Sequence, residues 1–304
     1  MALTETSRKG GQHGLKIVLA AFVWRRPWLR SMLLLSPPLA WFLAFYLAAL
    51  VALFVSAFWQ VDGFTGEIQE NWTFDNFRAV FGDETYRRIG LRTIGIAAAV
   101  TLTDAVLAFP FAYFMAQFAG SRLRAALMTA VMLPLWSSYL ARVYAWRLIL
   151  AHDGALNWLL TTIGLPEVSV GYSNWAMWIV FSYLWLPFMI LPVYAGLERI
   201  PQSLLEASAD LGAGAWRTLR RVILPLALPG IAAGSISCFS LTLGDYVTPM
   251  LVGGPGSDFI GNVVYVNVGV SNNVPFAAAF ATLPLAVIAL YLLLARKLGA
   301  FEAM

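Results

Sequence analysis

Ionisable side chains are rare in this chain, and two aspartates sit where they cost most. Asp104 falls midway along the apolar run 93–117. Asp245 lies near the end of 222–247, in Leu243-Gly244-Asp245-Tyr246-Val247-Thr248-Pro249. A charged side chain at the centre of a membrane helix costs about 2.5–3.5 kcal/mol on insertion scales, so each aspartate needs a reason. A carboxylate beside an aromatic ring suits a cation, Asp245 giving charge and Tyr246 a π face. Trp136, Tyr139 and Trp185 could extend that aromatic wall or simply pack against neighbouring helices. Asp104 likewise has two readings, contact with a solute or an interhelical hydrogen bond. Arg142 could pair with either aspartate or extend its head toward water.

A second polar cluster runs from Glu206-Ala207-Ser208-Ala209-Asp210-Leu211-Gly212 through Arg217, Arg220 and Arg221 to Val222-Ile223-Leu224-Pro225. It reads as two short helices joined at a glycine corner. Ser203 and Glu206 have capping-box spacing, and Pro201 precedes them. Gly212 is placed to close the first helix at positive φ. Ala213–Arg221 reads as the second run. Glu206 and Asp210 are one turn apart and share a face. Ala207, Ala209, Ala213 and Ala215 keep the corner slim. Such a surface is suited to being gripped by another chain; the alternative is a loop whose arginines merely follow membrane topology.

Other chemistries find no residues. His13 and His152 are far apart, and Cys238 is the single cysteine. Neither a metal site nor an internal disulfide is expected. No nucleophile, base and orienting group converge in the sequence, so no catalytic residue is assigned. The phosphate-cradling G-x-x-x-x-G-K-[ST] is absent. No cofactor is therefore expected on this chain. If ATP and magnesium drive it, they bind a partner. The formal net charge of +4 does not imply nucleic-acid binding, because the arginines sit in short loops between apolar spans.

The elements that must position these residues are helices in a bilayer. Of the 304 residues, 60% are hydrophobic and 12% charged, against about 25% charged in a soluble domain. Six segments are long enough to cross a membrane, which takes about 20 residues. They run over 33–58, 93–117, 124–147, 174–197, 222–247 and 275–295. Prolines in several of them are read as tolerated kinks. The fold expected is an all-α polytopic membrane protein with six transmembrane helices.

Lysine and arginine counts orient it. A cytoplasmic N-terminus leaves fourteen of the twenty inside, Arg8, Lys9, Lys16, Arg25, Arg26, Arg30, Arg122, Arg124, Arg199, Arg217, Arg220, Arg221, Arg296 and Lys297. Six fall outside, at Arg78, Arg87, Arg88, Arg92, Arg142 and Arg147. This obeys the positive-inside rule and puts both termini and the Glu206 loop in the cytoplasm. Residues 1–32 read as a tail with an interfacial helix over 15–30, or an unstructured stretch. Residues 33–298 form one membrane domain with its polar loop at 198–221, and 299–304 a short cytoplasmic tail. Outside, 59–91 is polar and acidic. Leu156, Leu159, Leu160 and Ile163 recur at helical spacing, giving a short amphipathic helix within 150–173. Gly253-Gly254-Pro255-Gly256 marks a turn.

The Glu206–Pro225 pattern resembles the "EAA loop" of ABC-importer permeases, with Ser208 and Val222 standing where that pattern has alanine and isoleucine. Leu243–Pro249 followed by Leu251-Val252-Gly253-Gly254-Pro255 is similar to the fifth-span signature of spermidine/putrescine permeases. Ser36-Pro37-Pro38 and Trp185-Leu186-Pro187-Phe188-Met189-Ile190-Leu191-Pro192 resemble that group as well. The resemblance covers most of 31–298. It implies the type I importer fold in the bacterial inner membrane. It further implies an ABC ATPase dimer below, a second and usually different permease alongside, and a periplasmic solute-binding protein above. In those families the loop docks into the ATPase, which implies coupling roles for Glu206, Ala207, Asp210, Gly212, Arg217 and Arg220. The substrate implied is a polyamine, with an opine, an amino-acid derivative or a metal chelate as alternatives. A stand-alone secondary carrier using Asp104 and Asp245 would leave the loop without a purpose.

Overall fold

The computed structural model describes residues 26–297. The expected interfacial helix over 15–30 falls largely outside these residues, as do the tails at 1–25 and 298–304. The chain divides into two units, Met1–Ser56 and Ala57–Met304.

The described part of the first unit is a single helical rod. α1 (Pro27–Trp41) runs through a π segment (Phe42–Leu47) into α2 (Ala48–Ser56). Pro27 opens it where a missing N–H does no harm. Pro37 and Pro38 remove two donors inside it, and the π segment follows them. Leu34–Ser56 is apolar enough to cross a membrane, with aromatic pairs Trp41–Phe45 and Phe42–Tyr46 along its surface.

The second unit opens with a strand pair and a short helix in the stretch 59–91, which the sequence marks only as polar and acidic. A two-residue ladder pairs β1 (Gln60–Val61) with β2 (Ile68–Gln69). Its turn is tied by Asp62, whose Oδ1 accepts from the backbone of Phe64 and Thr65 at 2.8 and 2.9 Å. Those amide bonds hold the exposed Asp62 carboxyl below the usual carboxylate range. α3 (Asp75–Gly82) follows, and α4 (Glu84–Gln117) then forms the second span. Asp83 caps α4 through Thr85 N–H. At 34 residues α4 rises about 51 Å, well beyond a hydrocarbon core of ~30 Å. Its start, with Glu84, Arg87, Arg88 and Arg92, therefore projects past the apolar stretch.

The third expected span, 124–147, is not one helix. α5 (Ser121–Met132) and a 3₁₀ turn (Leu133–Trp136) meet α6 (Tyr139–Leu150) and α7 (Ala155–Thr162) at a bend of 93°. Pro134 tightens the chain, and Ser137 and Ser138 are extended. The proline and the two serines together break the helix, where a proline alone would have kinked it. α7 is the amphipathic helix expected from its leucine spacing. Buried Asn157 staples the following loop by bonding the backbone of His152 and Val168.

α8 (Asn174–Glu198) is the fourth span, capped by Ser173. The fifth is longer than expected. α10 (Ala215–Thr218), a π turn (Leu219–Ile223) and α11 (Leu224–Gly244) are one continuous rod of 30 residues. The second short helix read at Ala213–Arg221 is thus the foot of this span. Pro225 lacks the N–H that the Arg221 carbonyl would take in α register, and the π turn lies just ahead of it. After α11 come α12 (Val247–Val252), the Gly253–Gly256 turn, an unexpected α13 (Ile260–Gly269) and the last span α14 (Val274–Lys297).

The core is α4, α8 and α11, with Met115, Phe181, Leu184, Met189 and Cys238 buried among them. Glycines set the separation of α8 and α11. A Cβ on Gly230 would lie 2.5 Å from the Pro192 carbonyl, and one on Gly234 would lie 2.7 Å from Met189 Sδ. Gly230 and Gly234 are one turn apart, a small-residue seam that lets two membrane helices approach closely. Gly230→Leu must displace α8 backbone and should lower the thermal unfolding midpoint of the purified protein strongly, overpacking costing about 1–3 kcal/mol or more. Gly95→Ala, where an added Cβ meets nothing within 4 Å, should leave the midpoint unchanged or raised. Equal midpoints for the two variants would refute the seam.

Candidate functional site

The two helix breaks in the second unit meet. α11 ends at Gly244, and Asp245 leaves the helix with extended backbone. The Asp245 side chain then starts α12, its Oδ1 accepting from Val247 N–H at 2.7 Å and Thr248 N–H at 3.0 Å. Oδ2 accepts from the Thr248 hydroxyl at 3.3 Å and from the Tyr139 hydroxyl. Tyr139 is the first residue of α6, just past the 93° bend, and its hydroxyl also lies 2.8 Å from Thr248 Oγ1. One carboxyl therefore joins the end of span five to the break in span three.

Above this joint is an open cavity of about 360 Å³, lined by Tyr139, Trp185, Ser240, Leu241, Gly244, Asp245, Tyr246 and Val247. The rings of Tyr139 and Trp185 stack at 6.0 Å. Tyr246 stacks on Tyr265 at 4.8 Å, and its carbonyl accepts from Asn262 Nδ2 at 2.8 Å. The cavity thus has a charge-bearing floor and aromatic faces on two sides, a geometry that suits a cation.

Of the residues expected along a solute path, Asp245, Tyr246, Tyr139 and Trp185 are brought together here. Trp136 is not among them. It sits on the 3₁₀ turn before the bend, 82% exposed, outside the cavity lining. Asp104 is also elsewhere. It is fully buried between α4, α8 and α11 with the Ser182 and Cys238 side chains beside it, and neither carboxyl oxygen takes a well-formed hydrogen bond. It lies on the interhelical side of the elements whose other residues line the cavity. Arg142 pairs with neither aspartate among the described residues, and its buried Nε and Nη1 have no partner.

Sequence reasoning missed Thr248, Ser240, Asn262 and Tyr265. Thr248 carried a signal: an aspartate followed three residues on by threonine is helix-start spacing, with the Asp side chain reaching forward to backbone N–H groups.

The polar corner is built from α9 (Gln202–Asp210) and the foot of the fifth span. The expected capping box does not form. Pro201 is the N-cap, Ser203 lies inside the first turn, and no side chain caps the helix. The glycine corner does form. Gly212 has φ +74°, its N–H donates to Ala209 O at 2.8 Å and Ala213 N–H donates to Ser208 O at 3.1 Å. These two bonds make a Schellman closure. Ser208 is buried, and its hydroxyl meets that of Thr218 at 2.9 Å, tying α9 to α10. Glu206, Ala207, Asp210, Gly212, Arg217 and Arg220 are all exposed, with Leu211 and Trp216 standing out beside them at 87% and 73%.

Apolar spans broken and rejoined around a cavity, with a rigid polar corner at one end, define a multi-pass membrane transport permease. The chain belongs to the family of binding-protein-dependent transport system inner membrane components, which it matches over residues 108–299. It is 47% identical over 299 residues to the inner membrane ABC transporter permease protein YdcU of Escherichia coli, covering 94% of this chain and 95% of that one. It is 33% identical over 210 residues to the spermidine/putrescine permease PotB of Salmonella typhimurium, covering 68% and 72%. Its fold matches a chain of a bacterial ABC transporter that imports alginate, with a TM-score of 0.69 at 22% identity over 92% of this chain and 98% of that one. A chain of the MetNI methionine transporter matches at a TM-score of 0.53 and 17% identity over 72% and 96%. The protein is thus an ABC-importer permease subunit of the inner membrane.

Asp245→Ala removes a helix start and leaves the Tyr139 hydroxyl with Thr248 Oγ1 alone. It should cost at least about 2 kcal/mol, read as a lower unfolding midpoint, with Tyr139→Phe milder at about 1 kcal/mol. A wild-type midpoint for Asp245→Ala would show that the joint carries no structural weight.

Proposed function

We propose that this permease moves a polyamine-like cation inward by alternating access, driven by an ABC ATPase dimer that holds the α9–α10 corner. The observation that carries the cation reading is the cavity in which Asp245 lies between the Tyr139–Trp185 stack and Tyr246. Four donors hold the Asp245 oxygens, so the group acts on a passing ammonium through its charge, while the ring faces make the close contact. The relatives PotB and PotC, spermidine/putrescine permeases of which the latter is 37% identical over 144 residues, support the same class of solute. An opine, an amino-acid derivative or a metal chelate would use the same passage with less from Asp245.

Three features support coupling at the corner: exposed Glu206 and Asp210 one turn apart, the Schellman closure, and the Ser208–Thr218 tie. A solute-binding protein would deliver cargo on the face bearing β1–β2, α7 and the Gly253–Gly256 turn. A second permease, different in sequence, would complete the passage. ATP and magnesium would bind only the ATPase. Both termini would lie in the cytoplasm, in keeping with the distribution of lysine and arginine. Alternating access demands that partners bind the two states with different affinity.

Reconstituted with its ATPase, second permease and binding protein, the wild-type complex should hydrolyse ATP faster when spermidine or putrescine is added, in a vanadate-sensitive way. Stimulation by another solute alone would demote Asp245 and Tyr246 to scaffold. Uptake abolished by a protonophore but insensitive to vanadate would instead indicate a secondary carrier. Glu206→Lys should abolish uptake without preventing membrane insertion. Gly212→Leu should do the same, since an added Cβ there meets nothing within 4 Å and only backbone strain of about 1–2 kcal/mol is introduced. Wild-type uptake in both variants would sink the coupling role.

A further inference from the structure

Four residues of α11 carry hydroxyls, and three of them turn back on their own helix. Ser235 bonds to Ala232 O at 2.7 Å, Ser237 to Ala233 O at 3.5 Å and Thr242 to Cys238 O at 2.8 Å. That return bond is the usual way for a serine or threonine to satisfy itself inside an apolar helix. Ser240 does not make it. Its hydroxyl has no hydrogen bond among the described residues, and it lines the cavity that contains Asp245. A half-buried hydroxyl left uncommitted at a cavity wall is available to whatever fills the cavity.

Its place relative to Asp245 sets a length. Ser240 and Gly244 are one turn apart on the same face, and Asp245 follows directly. Five residues of helix separate Ser240 from Asp245 by about 7.5 Å along the axis. Between them the lining side chains are Leu241, which is apolar, and Gly244, which has none. The lining therefore reads polar, apolar, polar along one line. An ammonium group held near Asp245 and the aromatic faces would leave a short polymethylene chain along Leu241 and Gly244, with a second amine beside Ser240.

We infer that Ser240 is a specificity-determining residue of the permease cavity, hydrogen-bonding the distal amine of a linear diamine whose proximal ammonium lies at Asp245. This rests on the cation reading above and deepens it. A monoamine of the same length would place a methyl group against the Ser240 hydroxyl and forgo that bond. A hydrogen bond to a charged group is lost in that exchange, which corresponds to a discrimination on the order of tenfold.

The test reads the permease cavity alone, with the assembled permease–ATPase complex in nanodiscs and no solute-binding protein present. Radiolabelled 1,4-diaminobutane is the probe, and unlabelled 1,4-diaminobutane and 1-aminobutane are the competitors. Wild type should prefer the diamine by about tenfold. Ser240→Ala should bring the two amines to within about twofold by weakening only the diamine. Ser240→Thr, which keeps the hydroxyl, should restore the preference. A Ser240→Ala complex that keeps the wild-type preference would overturn the inference while leaving the cation reading intact. Equal weakening of both amines in Ser240→Ala would also overturn it, by assigning the residue to packing. Failure of wild type to bind either amine would overturn the cation reading and this inference together.

Discussion

The Tyr139–Asp245 hydrogen bond is the constraint on which the second unit depends. A broken membrane helix exposes backbone groups that lipid cannot satisfy, and breaks survive only where other protein groups take over. Here span three breaks at Ser137–Ser138 and span five ends at Gly244, and one carboxyl bonds to both places. Asp245 supplies acceptors for the free N–H groups at the start of α12. Its remaining oxygen takes the hydroxyl of Tyr139, the first residue after the bend in span three. The same carboxyl is thus structural and faces the cavity. Its four donors offset the cost of placing a carboxyl in an apolar span.

Further along α11 from that joint the packing is close, and the polar cost is met unevenly. The Gly230 and Gly234 seam brings α11 onto α8 until carbonyls and methionine sulfur leave no room for a methyl. Close approach substitutes for the hydrophobic drive that helices lack in lipid. Asp104 shows the opposite balance. Its carboxyl sits in that tight interior beside Ser182 and Cys238 without a well-formed bond. Asp245 has four donors and opens on a cavity; Asp104 has none and opens on nothing.

The sequence was most legible where local chemistry decides the outcome. Apolar length placed the spans, leucine spacing placed α7, and Gly212 was readable because a Schellman closure demands positive φ there. The grouping of Tyr139, Trp185, Asp245 and Tyr246 followed from residue type, since a carboxylate is costly in a span and needs polar and aromatic neighbours there. What failed needed longer-range information. The bend at Ser137–Ser138 is invisible to a hydropathy count, because α5 and α6 are each apolar enough to sum to one span. The foot of span five looked like a separate helix because its arginines stop the apolar run while the backbone continues. The Ser203–Glu206 capping box had the right spacing and lost to Pro201, which starts the helix two residues earlier. Trp136 was grouped by type alone, and three residues of chain place it on the far side of a 93° bend.

That continuity of span five has a mechanical meaning. The rod from Ala215 to Gly244 is 30 residues and about 45 Å long. Its foot is the corner tied by Ser208 and Thr218, and its tip is Asp245. On the coupling proposed above, a partner holding α9 would act on Asp245 along one helix. The π turn at Leu219–Ile223 and the prolines at 225 and 229 sit between the two ends, where a helix bends at lowest cost. Such a lever shifts the balance between two arrangements of the breaks only if a partner binds one arrangement more tightly.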